Sequence, residues 1–200
     1  FSYLAPWESR LNVFVQKVGA DSAVRVTSET LRDIAGYLWK GNNRILFLKD
    51  TGGDENFQLY GVNIDGTEQK GLTVFEKVRT ELIDDLKDVE GEIIVGLNKR
   101  NPQVFDPFRL NVLTGEMTQL AENPGNVVGW MTDHDGKLRL AFTTDGVNQT
   151  LLFRNTEQEQ FKPILTTSFK ESMSPYLFSF DNKMLISGSN LGRDKTALVT

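Results

Sequence analysis

Cysteine is absent from this sequence of 200 residues, and histidine occurs only once, at position 134. The lack of cysteine excludes disulfide bonds, thiolate metal sites and cysteine nucleophiles. It does not fix the compartment, since proteins without disulfides occur in both cytoplasm and periplasm. Most acid–base and nucleophilic mechanisms use a histidine, so His134 is the one candidate of this type in the chain.

Long hydrophobic runs and an excess of positive charge are also missing. No apolar run approaches the roughly 20 residues of a membrane span. The 27 acidic and 22 basic side chains give a net charge of −5, which argues against binding to nucleic acid or to an anionic membrane. The sequence begins at Phe1, inside a strand-like stretch and without an initiator methionine or leader, so we expect a piece of a longer protein.

Helical periodicity is nearly absent, whereas short apolar and β-branched runs recur at a regular spacing. Four of these runs begin at Ile45, Glu92, Leu138 and Met184, which are 46 or 47 residues apart. Each run is preceded by a strand and a polar turn, and is followed by a break and a further strand. Four strands in a repeat of this length are typical of a β-propeller blade.

The sequence therefore predicts an all-β fold, a β-propeller segment of about five four-stranded blades that is incomplete at both ends. The first blade would lack its first strand and the last blade its fourth. Unpaired sheet edges near the two termini would allow an edge-strand dimer of the fragment. The predicted blades cover approximately residues 1–30, 31–75, 76–123, 124–168 and 169–200.

The glycine-rich break DTGGDEN, at residues 50–56, could be a ligand-binding loop or a turn. A phosphate-binding loop would be followed by a helix, but a strand pattern follows here. Asp50, Asp54 and Glu55 offer oxygen ligands for calcium, yet the full spacing of a calcium loop is absent. Glycine, asparagine and aspartate suit tight turns. We interpret the break as a structural hairpin and expect no metal and no cofactor.

Three other polar features are candidates for a site. His134 lies between two aspartates in TDHDGK, where either a carboxylate orients the ring or, as we favour, the segment is an exposed turn between strands. Asp84 and Asp85 form an acidic pair on a predicted first strand, where neighbours face opposite sides. We take them as candidate channel or substrate contacts rather than catalytic residues. The basic pair at residues 99–100 is predicted to be a solvated hairpin tip.

The stretches KDTGGDENFQLY, at residues 49–60, and GLNKRNPQVFD, at residues 96–106, are the most distinctive of the chain. They resemble the N-terminal propeller of bacterial serine peptidases of the prolyl oligopeptidase family, in its acylaminoacyl-peptidase and dipeptidyl-peptidase-like branch. The resemblance extends along nearly the whole chain.

The resemblance implies that the catalytic serine, aspartate and histidine belong to a C-terminal α/β-hydrolase domain of the same parent chain, which this sequence does not include. The propeller would cap that domain and filter substrates to short peptides. Some family members position the amino terminus of the substrate with acidic propeller residues. No position here matches that motif, so Asp84 and Asp85 stay candidates. No catalytic residue carries over, and we expect the chain alone to be inactive.

A second reading is a stand-alone propeller that binds a protein partner as a scaffold, because a fold does not specify a function. The sequence after Thr200 would separate the two readings. A G-x-S-x-G motif between a strand and a helix, with a later aspartate and histidine, would indicate the peptidase. A propeller glycosidase would need two carboxylates about 5–9.5 Å apart, and the repeats single out no such pair.

Overall fold

The computed structural model describes all 200 residues and consists of β-strands, turns and irregular segments, with no helix. The all-β prediction is confirmed. The strands form five antiparallel sheets, and in each sheet neighbouring strands follow one another along the chain. The chain divides into two compact units, Phe1–Ala121 and Glu122–Thr200. No helical segment is available to cross a membrane.

The first unit contains three sheets, which we call A, B and C. Sheet A consists of β1 (Ser2–Trp7), β2 (Arg10–Val15) and β3 (Val24–Arg25). Sheet B consists of β4 (Gly36–Lys40), β5 (Arg44–Lys49), β6 (Gln58–Asn63) and β7 (Lys70–Gly71). Sheet C consists of β8 (Thr80–Asp84), β9 (Glu92–Asn101), β10 (Val104–Asn111) and β11 (Met117–Gln119).

The second unit contains sheets D and E. Sheet D consists of β12 (Val127–Thr132), β13 (Leu138–Thr144), β14 (Gln149–Phe153) and β15 (Lys162–Thr167). Sheet E consists of β16 (Met173–Phe178), β17 (Leu185–Ser189) and β18 (Ala197–Val199). Sheets A and E have three strands and the other three have four, as predicted for a propeller segment incomplete at both ends.

Strand β5 shows why its sequence is a continuous apolar run rather than an alternating one. Ile45 and Phe47 pack in one cluster with Val13 of sheet A, whereas Leu46 packs in another with Ile93 of sheet C. All of these side chains are fully buried. Because successive residues of a strand point to opposite faces, a strand covered on both sides must be apolar at every position.

The core of the second unit lies between sheets D and E. Leu140 and Leu151 of sheet D form a buried cluster with Phe178 of sheet E, and the half-buried side chains of Phe142 and Leu185 pack against it. Burying a side chain of this size stabilises a fold by about 1.5–3 kcal/mol. These contacts fix the positions of the turns that carry the polar residues described below.

The prediction of a hairpin tip at Lys99–Arg100 is wrong, because β9 continues to Asn101 and both residues lie on the strand. Only residues 102 and 103 separate β9 from β10. The side-chain oxygen of Asn101 accepts a hydrogen bond from the backbone N–H of Gln103 at 3.0 Å and stabilises this turn. Arg100 reaches across to Asp106 on β10, with two nitrogen–oxygen distances of 3.0 Å. The pairing of these two side chains extends the hairpin beyond the apolar part of its sequence.

Candidate functional site

The glycine-rich segment at residues 50–56 forms the connection between β5 and β6. Gly52 and Gly53 have φ values of 66° and 87°, a region that side chains disfavour. The buried carboxylate of Asp50 accepts hydrogen bonds from Arg32, the shorter at 3.0 Å. Asp54 instead accepts from Asn56, and these bonds lower the pKa of Asp54. The acidic side chains therefore have separate partners within the protein.

No group of three or more histidine, aspartate or glutamate side chains is arranged to hold a metal ion. Polar groups instead concentrate at the turns that join the first two strands of a sheet. These turns are residues 133–137 in sheet D, 179–184 in sheet E and 85–91 in sheet C. Each is held by a neighbouring sheet of the same unit, as follows.

His134 lies exposed in the turn between β12 and β13, which confirms the predicted turn. Its Nε2–H donates to the backbone oxygen of Phe178 at 2.8 Å, which fixes the tautomer of the neutral ring. The ring also stacks on Phe180, with 5.3 Å between ring centroids. The imidazole is thus oriented by a carbonyl and an aromatic ring of sheet E, and not by a neighbouring aspartate.

Further hydrogen bonds join the same two turns. The side chain of Asn182 accepts from the backbone N–H of His134 and donates to Asp135, both at 3.0 Å. The guanidinium of Arg139 donates to Asp133 at 3.1 Å and to the backbone oxygen of Asn182 at 3.0 Å. We call these five residues, Asp133, His134, Asp135, Arg139 and Asn182, the D–E clasp.

A lysine makes the equivalent contact in the first unit. Lys40, at the end of β4, is buried, and its ammonium donates to the backbone oxygens of Asp85 and Leu86 at 2.5 and 2.8 Å. Burial lowers the pKa of Lys40, and the nearby carboxylates of Asp85, Asp84 and Glu92 oppose this effect. Sheet B is thereby joined to the turn that follows β8.

The acidic pair of the sequence analysis is located at this turn. Asp84 is the last residue of β8, and its carboxylate accepts a hydrogen bond from the N–H of Leu86 at 2.7 Å. Asp85 follows the strand and is exposed. The expectation that both lie on the strand and face opposite sides is therefore wrong, because the chain turns directly after Asp84. Both carboxylates lie near the Lys40 ammonium, which they stabilise in its charged form.

A cavity of about 270 Å³ lies between sheets D and E at the opposite end from the clasp. Sequence reasoning missed it, because its walls come from five strands and no residue type or spacing marks an interior space. All of its lining side chains are uncharged. They are Val128, Gly129, Phe142, Thr143, Gln149, Thr150, Leu151, Leu165, Thr167, Met173, Ser174 and Pro175.

Comparison with known proteins gives dipeptidyl peptidases as sequence relatives. No family model matches the chain. The chain is 30% identical over 207 aligned residues to dipeptidyl aminopeptidase BIII of Pseudoxanthomonas mexicana, with 98% of this chain and 29% of that protein covered. It is 25% identical to dipeptidyl peptidase family member 6 of Caenorhabditis elegans, with 95% of this chain and 28% of that protein covered. The chain thus spans less than a third of the length of these relatives.

The fold is also similar to that of a solved prolyl endopeptidase structure. The TM-score is 0.64 at 8% sequence identity, and the match covers 94% of this chain and 30% of the endopeptidase. At this identity the similarity describes the fold alone. Together with the 30% identity to a dipeptidyl aminopeptidase, it agrees with the family resemblance found in the repeats.

Proposed function

We propose that this chain, a β-propeller segment of the prolyl oligopeptidase family, limits access to the active site of a serine peptidase to short peptides. The observation that carries the proposal is the 30% identity to a dipeptidyl aminopeptidase across 98% of the chain. In this proposal the blades occupy residues 1–30, 31–75, 76–123, 124–168 and 169–200, and each of these ranges contains one of sheets A to E.

The proposed partner is an α/β-hydrolase domain of the same parent chain, which would supply the catalytic serine, the histidine base and the aspartate that orients it. Two observations support a non-catalytic role for the propeller segment itself. The one histidine of the chain donates its Nε2–H to a backbone carbonyl. The chain also has no cysteine. A nucleophile needs a base within hydrogen-bond reach, and this histidine is committed elsewhere.

The physical basis of peptide selection is the way in which the sheets are joined. In addition to the apolar packing between neighbouring sheets, the Lys40 ammonium joins sheet B to sheet C and the D–E clasp joins sheet D to sheet E by hydrogen bonds at one end. In this proposal, the sheets bound an opening to the active site that excludes bulky chains and admits extended, narrow ones. Weakening a clasp should therefore widen the range of peptide lengths that the peptidase accepts.

Asp85 is the proposed substrate contact of the acidic pair, and Asp84 supports its position. The exposed carboxylate of Asp85 is available to attract a positively charged peptide amino terminus, whereas Asp84 accepts a hydrogen bond from the turn backbone. Opposite charges near a protein surface attract over several ångströms, and salt screens the attraction. An Asp85→Asn variant of the parent peptidase should raise KM for free-amine peptides and leave KM for N-acetylated peptides unchanged.

The clasp provides the test of peptide selection in the parent peptidase. Asn182 has a φ of 57°, so Asn182→Gly removes its side-chain hydrogen bonds without forcing a new side chain into a left-handed conformation. The matched control is Lys77→Gly. Lys77 is exposed, has a φ of 58° and lies in the first unit, in the turn between β7 and β8. The measurement is kcat/KM for a dipeptide anilide and for a peptide of roughly 20 residues.

The expected result is a rise in the ratio of long-peptide to short-peptide kcat/KM in Asn182→Gly and no change in Lys77→Gly. An unchanged ratio in both variants, with native folds, contradicts selection by the clasp. A parent protein that hydrolyses no peptide at all, yet retains a protein partner through this segment, supports the scaffold reading instead.

A further inference from the structure

The cavity between sheets D and E has an apolar floor that crosses a whole sheet. Gly129 of β12 pairs with Phe142, Phe142 pairs with Leu151, and Leu151 pairs with Leu165 of the outer strand. All four residues line the cavity. Paired residues of adjacent strands lie side by side on the same face, so they form one continuous apolar surface.

Glycine at position 129 contributes to the space above this floor. A Cβ added there would lie 3.3 Å from the Phe142 ring, which is tighter than ordinary van der Waals contact. The facing wall is the start of β16, where Met173, Ser174 and Pro175 line the cavity. The ring of Phe142 and the Met173 side chain are half-buried, so apolar surface remains accessible from within the space.

The polar groups at the cavity are hydroxyls and one amide, and none carries a charge. Thr167 pairs with Gln149, and both lie on the same face of sheet D as Leu151 and Leu165, so the Thr167 hydroxyl and the Gln149 amide are on the cavity face. The side chains of Thr143 and Thr150 lie on the opposite face of the sheet. Gln149 lines the cavity at an exposed position. A lining of this kind suits neutral hydrogen-bonding groups and disfavours a charge, because a charge would lose hydration without gaining a partner.

A buried hydroxyl lies next to this space without a partner in the protein. Ser187 is fully buried, and its Oγ has no hydrogen bond. It pairs directly with Pro175 of β16, which lines the cavity. Paired residues share a face, so Ser187 belongs to the cavity side of sheet E. A buried polar atom without a hydrogen bond is uncommon and costs stability unless a ligand or water satisfies it.

We propose that this cavity is a binding pocket for an uncharged segment of a peptide that carries one branched aliphatic or aromatic side chain. Small-molecule sites are concave and mostly apolar, with a few placed polar groups. A volume of about 270 Å³ accommodates one such side chain with its flanking amides, since a cavity of roughly 150 Å³ already holds benzene. The apolar side chain contacts the Phe142–Leu165 floor, and the neutral amides bond to the Thr167 hydroxyl and to the Gln149 amide. The pocket depends only on the second unit and not on the proposed peptidase role.

The test uses N-acetyl-leucinamide as the neutral probe and leucinamide, which has a charged amine, as its matched control. Titration of the full chain, followed by isothermal calorimetry and ligand-observed NMR, gives the dissociation constants. We expect the acetylated probe to bind at about 1 mM or more tightly, as its small size allows. We expect leucinamide to bind at least roughly tenfold more weakly, because its amine would lose hydration in an uncharged pocket.

Two substitutions place a large side chain at the cavity from opposite walls. Met173→Trp and Gln149→Trp each enlarge a lining residue whose side chain is on the cavity face of its sheet. Ser28→Trp is the matched control, since Ser28 is exposed and lies in the other unit. Both cavity variants should weaken binding of the acetylated probe at least about tenfold, and the control should leave binding unchanged.

Nuclear Overhauser effects locate the probe without relying on any variant. We expect effects from the leucine methyls of the probe to the methyl groups of Leu165 and Met173. Three results overturn the proposal: no binding of the acetylated probe to the folded chain, equal binding of both probes, or Overhauser effects only to residues outside the cavity.

Discussion

The Nε2 of His134 lies 2.8 Å from the backbone oxygen of Phe178, 44 residues later in the chain. This hydrogen bond joins the first turn of sheet D to the first strand of sheet E. A His134→Ala variant loses it together with the stacking on Phe180, and we expect about 1 kcal/mol lower stability, the typical net value of one such bond. Urea denaturation measures this change. An exposed substitution such as Lys137→Ala should stay within about 0.5 kcal/mol of the wild type.

The ion pair between Asp133 and Arg139 should matter more than the histidine, because both side chains are largely withdrawn from water. In Asp133→Asn the Arg139 guanidinium keeps its charge and loses its carboxylate partner. Removing one member of a buried pair typically costs about 3–5 kcal/mol. Chemical denaturation of this variant beside Asp21→Asn, an exposed aspartate, tests the prediction. Equal stability of the two variants would contradict the prediction. It would show that the contacts of Arg139 with Phe153, Phe178 and Asn182 stabilise its charge without the Asp133 carboxylate.

Leu46 tests the packing of sheet B between its neighbours. Its side chain is fully buried against residues of sheet C, so Leu46→Ala should lower the free energy of unfolding by about 2–5 kcal/mol. The same change at Leu82, which is 45% exposed, should cost much less. An equally small loss at both positions would contradict the burial of Leu46 against sheet C.

Asp145 provides a test of acid stability. Hydrogen bonds from the backbone N–H and the side chain of Asn148, and from the N–H of Val147, lower the pKa of Asp145 to about 2 from its usual 3.8. A lowered folded-state pKa means that the unfolded chain binds the proton more readily, so this stabilisation is present above about pH 4 and is lost as the pH falls towards 2.

An Asp145→Asn variant should therefore show a shallower loss of stability between these pH values than the wild type. Denaturation midpoints measured across the interval give the comparison, with the same substitution at exposed Asp21 as the control for loss of one carboxylate. If stability falls with pH equally steeply in the wild type and in Asp145→Asn, the hydrogen bonds of the turn do not lower the pKa of Asp145.

Much of the fold follows from the sequence because its physical cause is local. The run ILFL at residues 45–48 is apolar at every position since both faces of β5 are covered, and its recurrence about every 46 residues reveals the repeat. Turn residues between runs are equally visible. For example, glycines at positions 52 and 53 adopt positive φ in the β5–β6 connection.

The sites are less visible because they depend on contacts between repeats. The clasp joins His134 and Asn182, which belong to different turns, and neither residue type alone indicates a bond between them. The sequence predicts a strand that includes Asp85, because no pattern marks the turn that begins after Asp84. The cavity is a space between side chains of five strands, and a sequence pattern records which residues are apolar but not how closely two sheets approach.

The most direct test of the central claim is the dependence of kcat/KM on peptide length for the full-length protein that contains this chain. The substrates are a series of N-terminally matched peptides from two to roughly 30 residues, assayed with a chemically inactivated sample as the blank. If the propeller segment restricts access, short peptides should be cleaved and kcat/KM should fall at least about tenfold, or 1.4 kcal/mol, towards the long ones. Equal rates across the series, or no cleavage of any peptide by the folded protein, would contradict the account.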